Sequence, residues 1–194
     1  MASSSLITNL SNLDTNLSKL LSLYNGYISH NLFVTLRYIL KALEWSGHGV
    51  LWLLYIGFML FSSYNHRSSS SFIFYEIILI GLVIDLIVIA ILKLTFKRKR
   101  PFYNEGDLPL SASKIDGYSF PSGHATRAFM IYILFLSEYS NDFTAFKNTV
   151  SVWAILLGYS RVALGRHFIS DVIVGSIVGS LEGYLTLAVY NAIF

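Results

Sequence analysis

Phe72-Ile-Phe-Tyr-Glu76-Ile-Ile-Leu-Ile-Gly81-Leu-Val-Ile-Asp85-Leu-Ile-Val-Ile-Ala-Ile-Leu92 is an apolar run broken only by Glu76 and Asp85. A helix needs roughly 17–25 mostly apolar residues to cross a bilayer, whereas a barrel strand needs only about 10. The run therefore reads as a transmembrane helix. Working outward, 170–194 is a second candidate, with Asp171 at its start and Glu182 inside. Others are 48–64, 148–163 and the short 124–138, which begins inside Pro121-Ser122-Gly123-His124. The stretch 29–45 is weaker because it carries Arg37, Lys41 and Glu44. The expectation is an all-α, multi-pass membrane helical bundle of five or six transmembrane helices.

Composition agrees. The chain has 194 residues, enough for one domain, and 54% of them are hydrophobic while 13% are charged. Soluble domains are about 25% charged. Mean hydropathy is +0.57. An ordinary soluble globule and a disordered chain are both excluded. Cysteine is absent, which removes disulfides, thiolate chemistry and Cys-based metal sites. The net charge of +3 is mild, so what matters is where the cations sit.

Leu6, Leu10, Leu13, Leu17 and Leu20 or Leu21 recur every three or four residues among Asn, Ser, Thr, Asp14 and Lys19. That is an amphipathic helix lying in the membrane interface, or one packed on the bundle. It lacks the basic start and continuous apolar core of a cleavable signal peptide. The organisation expected is an N-terminal amphipathic segment over 1–28 and a membrane-embedded domain over 29–194. Residues 101–120 form the longest non-helical stretch, and a loop of that length is usually functional. Trp45, Tyr64 and Tyr139 near span ends fit an interfacial aromatic belt.

Three polar clusters interrupt the apolar pattern: Lys93 to Pro101, Tyr118 to Arg127, and Ser160 to Asp171. Counting crossings brings them to one leaflet. The first ends the 72–92 helix, the second begins the next helix, and the third ends the 148–163 helix. Phosphoryl transfer is the chemistry they can support. Lys93, Arg100 and Arg161 are cationic donors, and Arg grips phosphate bidentately. Ser122 and Gly123 stand at a helix start, where free backbone N–H groups bind anions. His124 and His167 offer an acid and a nucleophile or base. Asp171, at i+4 from His167, could fix its tautomer if both lie on one helix. Gly175, Gly179 and Gly183 continue that four-residue spacing and form a groove for close helix packing.

Lys93-x6-Arg100-Pro101, Pro121-Ser122-Gly123-His124 and Ser160-Arg161-x5-His167-x3-Asp171 resemble the three-part signature of the type 2 phosphatidic acid phosphatase superfamily at every signature position. The runs Lys97 to Pro101 and Tyr118 to Arg127 are similar to its polyisoprenoid (presqualene) diphosphate phosphatase branch. The resemblance implies an integral-membrane hydrolase of lipid metabolism that needs no metal or other cofactor. His167 would attack phosphorus to give a phosphohistidine, Asp171 would orient His167, and His124 would protonate the leaving oxygen. Lys93, Arg100, Ser122, Gly123 and Arg161 would hold the phosphoryl oxygens. The implied substrates are farnesyl, geranylgeranyl or presqualene diphosphate. The alternative is a broad lipid phosphate phosphatase acting on phosphatidate and related monoesters. A vanadate-dependent haloperoxidase and a non-catalytic membrane scaffold stand behind these. The expected partners are the bilayer and its lipid substrate, with no nucleic acid and no obligate protein partner. The expected location is the endoplasmic reticulum or nuclear envelope. The usual superfamily arrangement puts the site on the lumenal side, while the positive-inside rule points the other way.

Other residues receive plainer readings. Lys97, Arg98 and Lys99 form a basic patch against lipid headgroups, or with Arg127 a contact for a second phosphate. Arg166 is a neighbour of the site. His30, His48 and His66 are interfacial or loop residues. Asp85 and Glu182 lie deep in apolar helices, where charge is expensive, and serve structure or else a gate or proton route.

Overall fold

The computed structural model describes residues 2–24, 26, 29–104, 117–138 and 144–194. The central part of the long 101–120 loop and Tyr139 therefore fall outside the described residues. The described chain is helical: α1 (Ala2–Leu20), α2 (His30–Ser46), α3 (Gly49–Ser62), α4 (Ser70–Phe96), α5 (Gly123–Glu138), α6 (Thr144–Ala163) and α7 (Ile169–Ile193), with short 3-10 turns at Tyr64–His66 and Phe102–Asn104. No strand occurs among the described residues, only one antiparallel bridge between Lys99 and Tyr118.

α4 is the run that opened the sequence. The Ser69 hydroxyl caps it by accepting the Phe72 N–H at 3.2 Å, satisfying one orphan donor of the first turn. Lys97, at a left-handed φ of 47°, ends it. With 27 residues it is about 40 Å long. α4 and α7 are each long and apolar enough to cross a membrane. Their outer faces, with Leu86, Ile87 and Ile91 on α4 and Ile173, Ile177 and Leu181 on α7, are exposed, as expected where lipid tails rather than protein cover the side chains.

The candidate spans 29–45 and 48–64 fall on α2 and α3, which meet at a 45° bend and by length and composition pass together as a broken span or a re-entrant loop. By length and composition the described helices thus supply two crossings, or three with the bent pair. α5 has 16 residues, about 24 Å, and α6 carries Lys147 and Arg161. α5 is largely sheltered by its neighbours, whereas α6 leaves Val152, Ile155, Leu156 and Tyr159 exposed.

The bend sits at Gly47-His48. A Cβ on Gly47 would run into Leu157, and one on Gly49 would come within 2.9 Å of the Arg127 guanidinium carbon. The Trp52 and Trp153 indole N–H groups donate to Ser46, to its carbonyl and its hydroxyl respectively, each at 2.9 Å. The corner is thereby pinned against α5 and α6.

The glycine stripe packs α7 on α5. A Cβ on Gly179 would strike the Thr126 carbonyl, and one on Gly183 would lie 2.7 Å from Ile133 Cβ. Below them Ile78, Leu82, Met130, Ile131 and Leu134 join α4 to α5 in a fully buried cluster, with Ile56 of α3. This close approach holds the start of α5 against the start of α7, and those two starts carry the second and third polar clusters.

Candidate functional site

All three clusters meet at one end of the bundle. The Lys99–Tyr118 bridge zips the first to the second. Ser119 secures it, its N–H donating to the Arg98 carbonyl at 2.8 Å and its hydroxyl to the Lys99 carbonyl at 3.1 Å. The Ser122 N–H donates to the Asp171 carbonyl at 3.1 Å, joining the second to the third. After α6 the chain turns through Gly165, whose φ of 64° favours glycine, and both the Arg166 and His167 N–H groups donate to the Arg161 carbonyl. A cleft of about 280 Å³ results, lined among others by Lys93, Arg100, Gly123, His124, Arg161 and His167.

His167 is 2% exposed. Its Nδ1 lies 2.7 Å from the Ser119 carbonyl oxygen. A carbonyl only accepts, so Nδ1 carries the proton and Nε2 keeps the lone pair. Burial holds its pKa well below 6.5, and Arg100, Arg161 and Lys93 push the same way. The imidazole is therefore neutral near pH 7.

Asp171 stands beside His167, though not as a helical pair. His167 precedes α7, so the pair does not share a helical face. Asp171 Oδ2 is 3.7 Å from His167 Nδ1, beyond a hydrogen bond, and Ser119 sets the tautomer. Asp171 caps α7 instead, Oδ2 accepting the Phe168 N–H at 2.9 Å. Its Oδ1 accepts from Arg98 Nη1 at 2.6 Å. Its charge still faces the imidazole.

The donors fit an oxyanion unevenly. Arg161 is 1% exposed and lies 2.6 Å from Glu44 Oε1, while its Nε has no protein partner. Arg100 Nη1 donates to the Arg166 carbonyl at 3.0 Å, and Lys93 is buried. The Ser122 hydroxyl and His124 Nε2 are buried without protein partners, which suits an incoming phosphate. The Ser122 N–H is not available as expected, because the Asp171 carbonyl takes it; Gly123 lines the cleft. Arg127 also lines it, but its Nη2 pairs with Asp85 Oδ2 at 2.6 Å and its Nη1 donates to the Gly47 carbonyl at 3.2 Å. Asp85 also accepts from the Thr126 hydroxyl at 2.7 Å. Its burial is balanced by that pairing, while both Glu182 side-chain oxygens are buried without a partner.

Sequence reasoning missed four participants. Glu44 counted only as a blemish on a weak span, yet it braces Arg161. Arg98 belongs to Asp171 rather than to a headgroup patch. Asp14 holds Arg98 from α1, at 2.8 Å. His48 was read as a loop residue, but it lines the cleft, its ring 6.4 Å from that of His124. Flanking Gly47 and Gly49 were the available signal. Arg166 is a neighbour, as read: buried, with its Nε 3.7 Å from Glu44. Among the described residues no three of His, Asp and Glu converge as metal ligands would.

A helical membrane bundle with a buried histidine beside a cation-lined cleft at one end defines a phosphoryl-handling membrane protein. The pattern of the PAP2 superfamily matches residues 74–194, and the chain belongs to that superfamily. It is 37% identical over 133 residues to a probable lipid phosphate phosphatase beta of Arabidopsis thaliana, covering 56% of this chain and 62% of that one. The match thus spans less than two thirds of that relative. It is 28% identical over 183 residues to a lipid A 4'-phosphatase of Porphyromonas gingivalis, covering 84% and 73%. Among solved structures it resembles a transmembrane PAP2-type phosphatidylglycerolphosphate phosphatase from Bacillus subtilis, with a TM-score of 0.71, 25% identity and coverage of 96% and 88%. It shares the fold of Aquifex aeolicus LpxE, at a TM-score of 0.63 and 23% identity, over 89% and 93%. The protein is integral to a membrane.

Proposed function

We propose that the protein is a membrane phosphatase of lipid phosphates, broad in its headgroup, working through a phosphohistidine on His167. One observation carries this reading: a buried His167 beside the cationic cleft, with Nδ1–H held at 2.7 Å by the Ser119 carbonyl. That arrangement leaves Nε2 as the nucleophile. Lys93, Arg100 and Arg161 neutralise the phosphoryl oxygens, with Ser122 and Gly123 beside them. Nε2 forms the N–P bond as the P–O bond to the lipid breaks, and His124, which takes up a proton once the phosphate dianion sits beside it, delivers that proton to the departing alkoxide. The charge spreading over the equatorial oxygens meets fixed cations, which stabilise it without reorganisation. Water then attacks phosphorus, His124 takes its proton, the N–P bond breaks and phosphate leaves. Asp171 stabilises the imidazolium character of the phosphorylated ring. Cleft and lipid-facing helices adjoin, so the phosphate enters while its tail stays in the bilayer.

The breadth of substrate is supported by the relatives, which are phosphatases of several different phosphorylated lipids. A second reading is an isoprenoid diphosphatase. It is favoured by Arg127, which lines the cleft with its Nε unpartnered. It is weakened because the surplus cations that suggested it are partly engaged: Arg98 with Asp171 and Asp14, Arg127 with Asp85. An endoplasmic reticulum or nuclear envelope location goes with that second reading.

The test is phosphate release in mixed micelles from phosphatidate and farnesyl diphosphate at equal surface fraction. His167→Ala is expected to abolish release and any acid-labile phosphoenzyme. A His167→Ala protein with near wild-type turnover refutes the mechanism. A strong preference for the diphosphate, lost in Arg127→Ala, selects the second reading.

A further inference from the structure

A carboxylate from α1 reaches the rear of this site. Asp14 Oδ2 accepts from Arg98 Nη2 at 2.8 Å and from the Ser170 hydroxyl. Asp14 Oδ1 accepts the Ser170 N–H at 3.1 Å. Arg98 Nη1 donates to Asp171 Oδ1 at 2.6 Å and to the Ser170 hydroxyl at 2.7 Å. Its guanidinium carbon lies 4.1 Å over the Phe168 ring. One arginine thus bridges two carboxylates, and the inner one faces His167 Nδ1.

This geometry has an electrostatic consequence. Bonding phosphorus at Nε2 gives the imidazole ring positive character. The carboxylate nearest that ring is Asp171, and Arg98, in contact with it, opposes its field. The trio Asp14, Arg98 and Asp171 sums to one net negative charge, and without Asp14 it sums to zero. The other charged groups that act on His167 are Lys93, Arg100 and Arg161, all cationic. The Tyr103 phenol lies near both carboxylates; burial raises its pKa, as do Asp14 and Asp171, so it is neutral and adds no charge.

We propose that Asp14 is a positioning residue for the reaction: through Arg98 it holds Asp171 in place and keeps a net negative charge behind His167. The proposal rests on the phosphohistidine reading. Asp14 touches neither substrate nor reacting atoms. Its effect falls on the charged state of His167, so it should appear in kcat and leave substrate binding unchanged.

The experiment compares wild type, Asp14→Asn, Asp14→Glu and Ser18→Ala of the full chain in phosphatidate micelles, with melting temperature and phosphoenzyme formation followed in each. Ser18 also docks α1, its hydroxyl accepting the Ile169 N–H at 2.9 Å and donating to Asp14 Oδ1 only at 3.5 Å, and it does not touch Arg98. Loss of a group that orients a metal-binding side chain from behind typically costs about 10–100-fold, and Asp14 stands in the same relation to Asp171. Asp14→Asn is expected to lower kcat and the rate of phosphohistidine formation about tenfold, with KM within about twofold of wild type. Asp14→Glu restores kcat to within about threefold, because the charge returns. Ser18→Ala keeps kcat while losing some melting temperature. An unchanged kcat in Asp14→Asn, or an equal loss in Ser18→Ala, overturns the proposal. A wild-type protein that forms no phosphoenzyme overturns the phosphohistidine reading instead, and one that releases no phosphate overturns the phosphatase reading, so the failures are told apart.

Discussion

Gly179→Ala adds one methyl group at the point where α7 lies closest to α5. The new Cβ would run into the Thr126 carbonyl, with the carbonyl carbon at 2.6 Å and the Thr126 Cα at 2.7 Å. Carbon atoms rest at roughly 3.5–4.0 Å, so α5 and α7 must part by about 1 Å. The obstacle is backbone, which cannot swing aside as a side chain would. Overpacking of this kind costs about 1–3 kcal/mol. At about 2–4 °C per kcal/mol for a chain of this size, the melting temperature falls by roughly 2–12 °C. Activity suffers as well. α5 carries His124 at its start, and a misplacement of about 1 Å can cost about a hundredfold in rate. Gly57→Ala is the control, since nothing lies within 4 Å of its added Cβ, and alanine favours the helix by up to about 1 kcal/mol. The assay is thermal unfolding in detergent together with phosphate release in micelles. If Gly179→Ala matches Gly57→Ala in both, the packing argument for the glycine stripe fails.

Three further outcomes follow from the same geometry. The pKa of His167 is lowered in the fold, so below its ordinary value of 6.5 the unfolded chain binds a proton that the folded one refuses. The His167 contribution to stability therefore falls as pH drops through about 6.5 and is constant above it; His167→Gln should lessen this slope in a melting-temperature series. Arg127→Ala strands Asp85, which is 0% exposed, and should cost about 3–5 kcal/mol; adding Asp85→Asn should recover most of it in denaturation curves. Phosphate release should persist with chelator and be inhibited by vanadate, whose five-coordinate adduct on His167 imitates the transition state; strict dependence on added magnesium would contradict the roles given to Lys93, Arg100 and Arg161.

The signature residues were legible because their chemistry dictates residue type and spacing. Lys93, Arg100, His124, Arg161 and His167 all reach the cleft, since helix ends bring them to one face of the bundle. The α4 and α7 spans were legible from apolar length alone. The α2–α3 bend was not, because two adjacent apolar runs look alike whether the chain reverses or only bends, and the decision lies in what presses on Gly47. The actual partner of His167 was also hidden. A backbone carbonyl has no residue type, so nothing in Ser119 announces it. The i+4 spacing to Asp171 suggested a helical pair, but α7 begins only after His167.

Charge accounting shows why the missed residues are needed. Phosphate binding asks for a cationic cleft, yet a buried cation without a counter-charge is costly. The fold meets both demands by placing acids behind the cations or at the cleft wall. Glu44 braces Arg161 and Asp85 braces Arg127, each at 2.6 Å, while Asp14 and Asp171 share Arg98 away from the substrate side. Each brace comes from a different helix: α2, α4, α1 and α7. The acids therefore hold the bundle end together while limiting the cleft's excess charge. Removing a brace should damage stability, because it leaves a buried cation uncompensated, whereas removing a group that acts only on the substrate should damage catalysis alone. That contrast separates Glu44→Gln, expected to lower melting temperature, from His124→Ala, expected to slow turnover with the fold intact. If Glu44→Gln leaves melting temperature untouched, the acid does not brace the site.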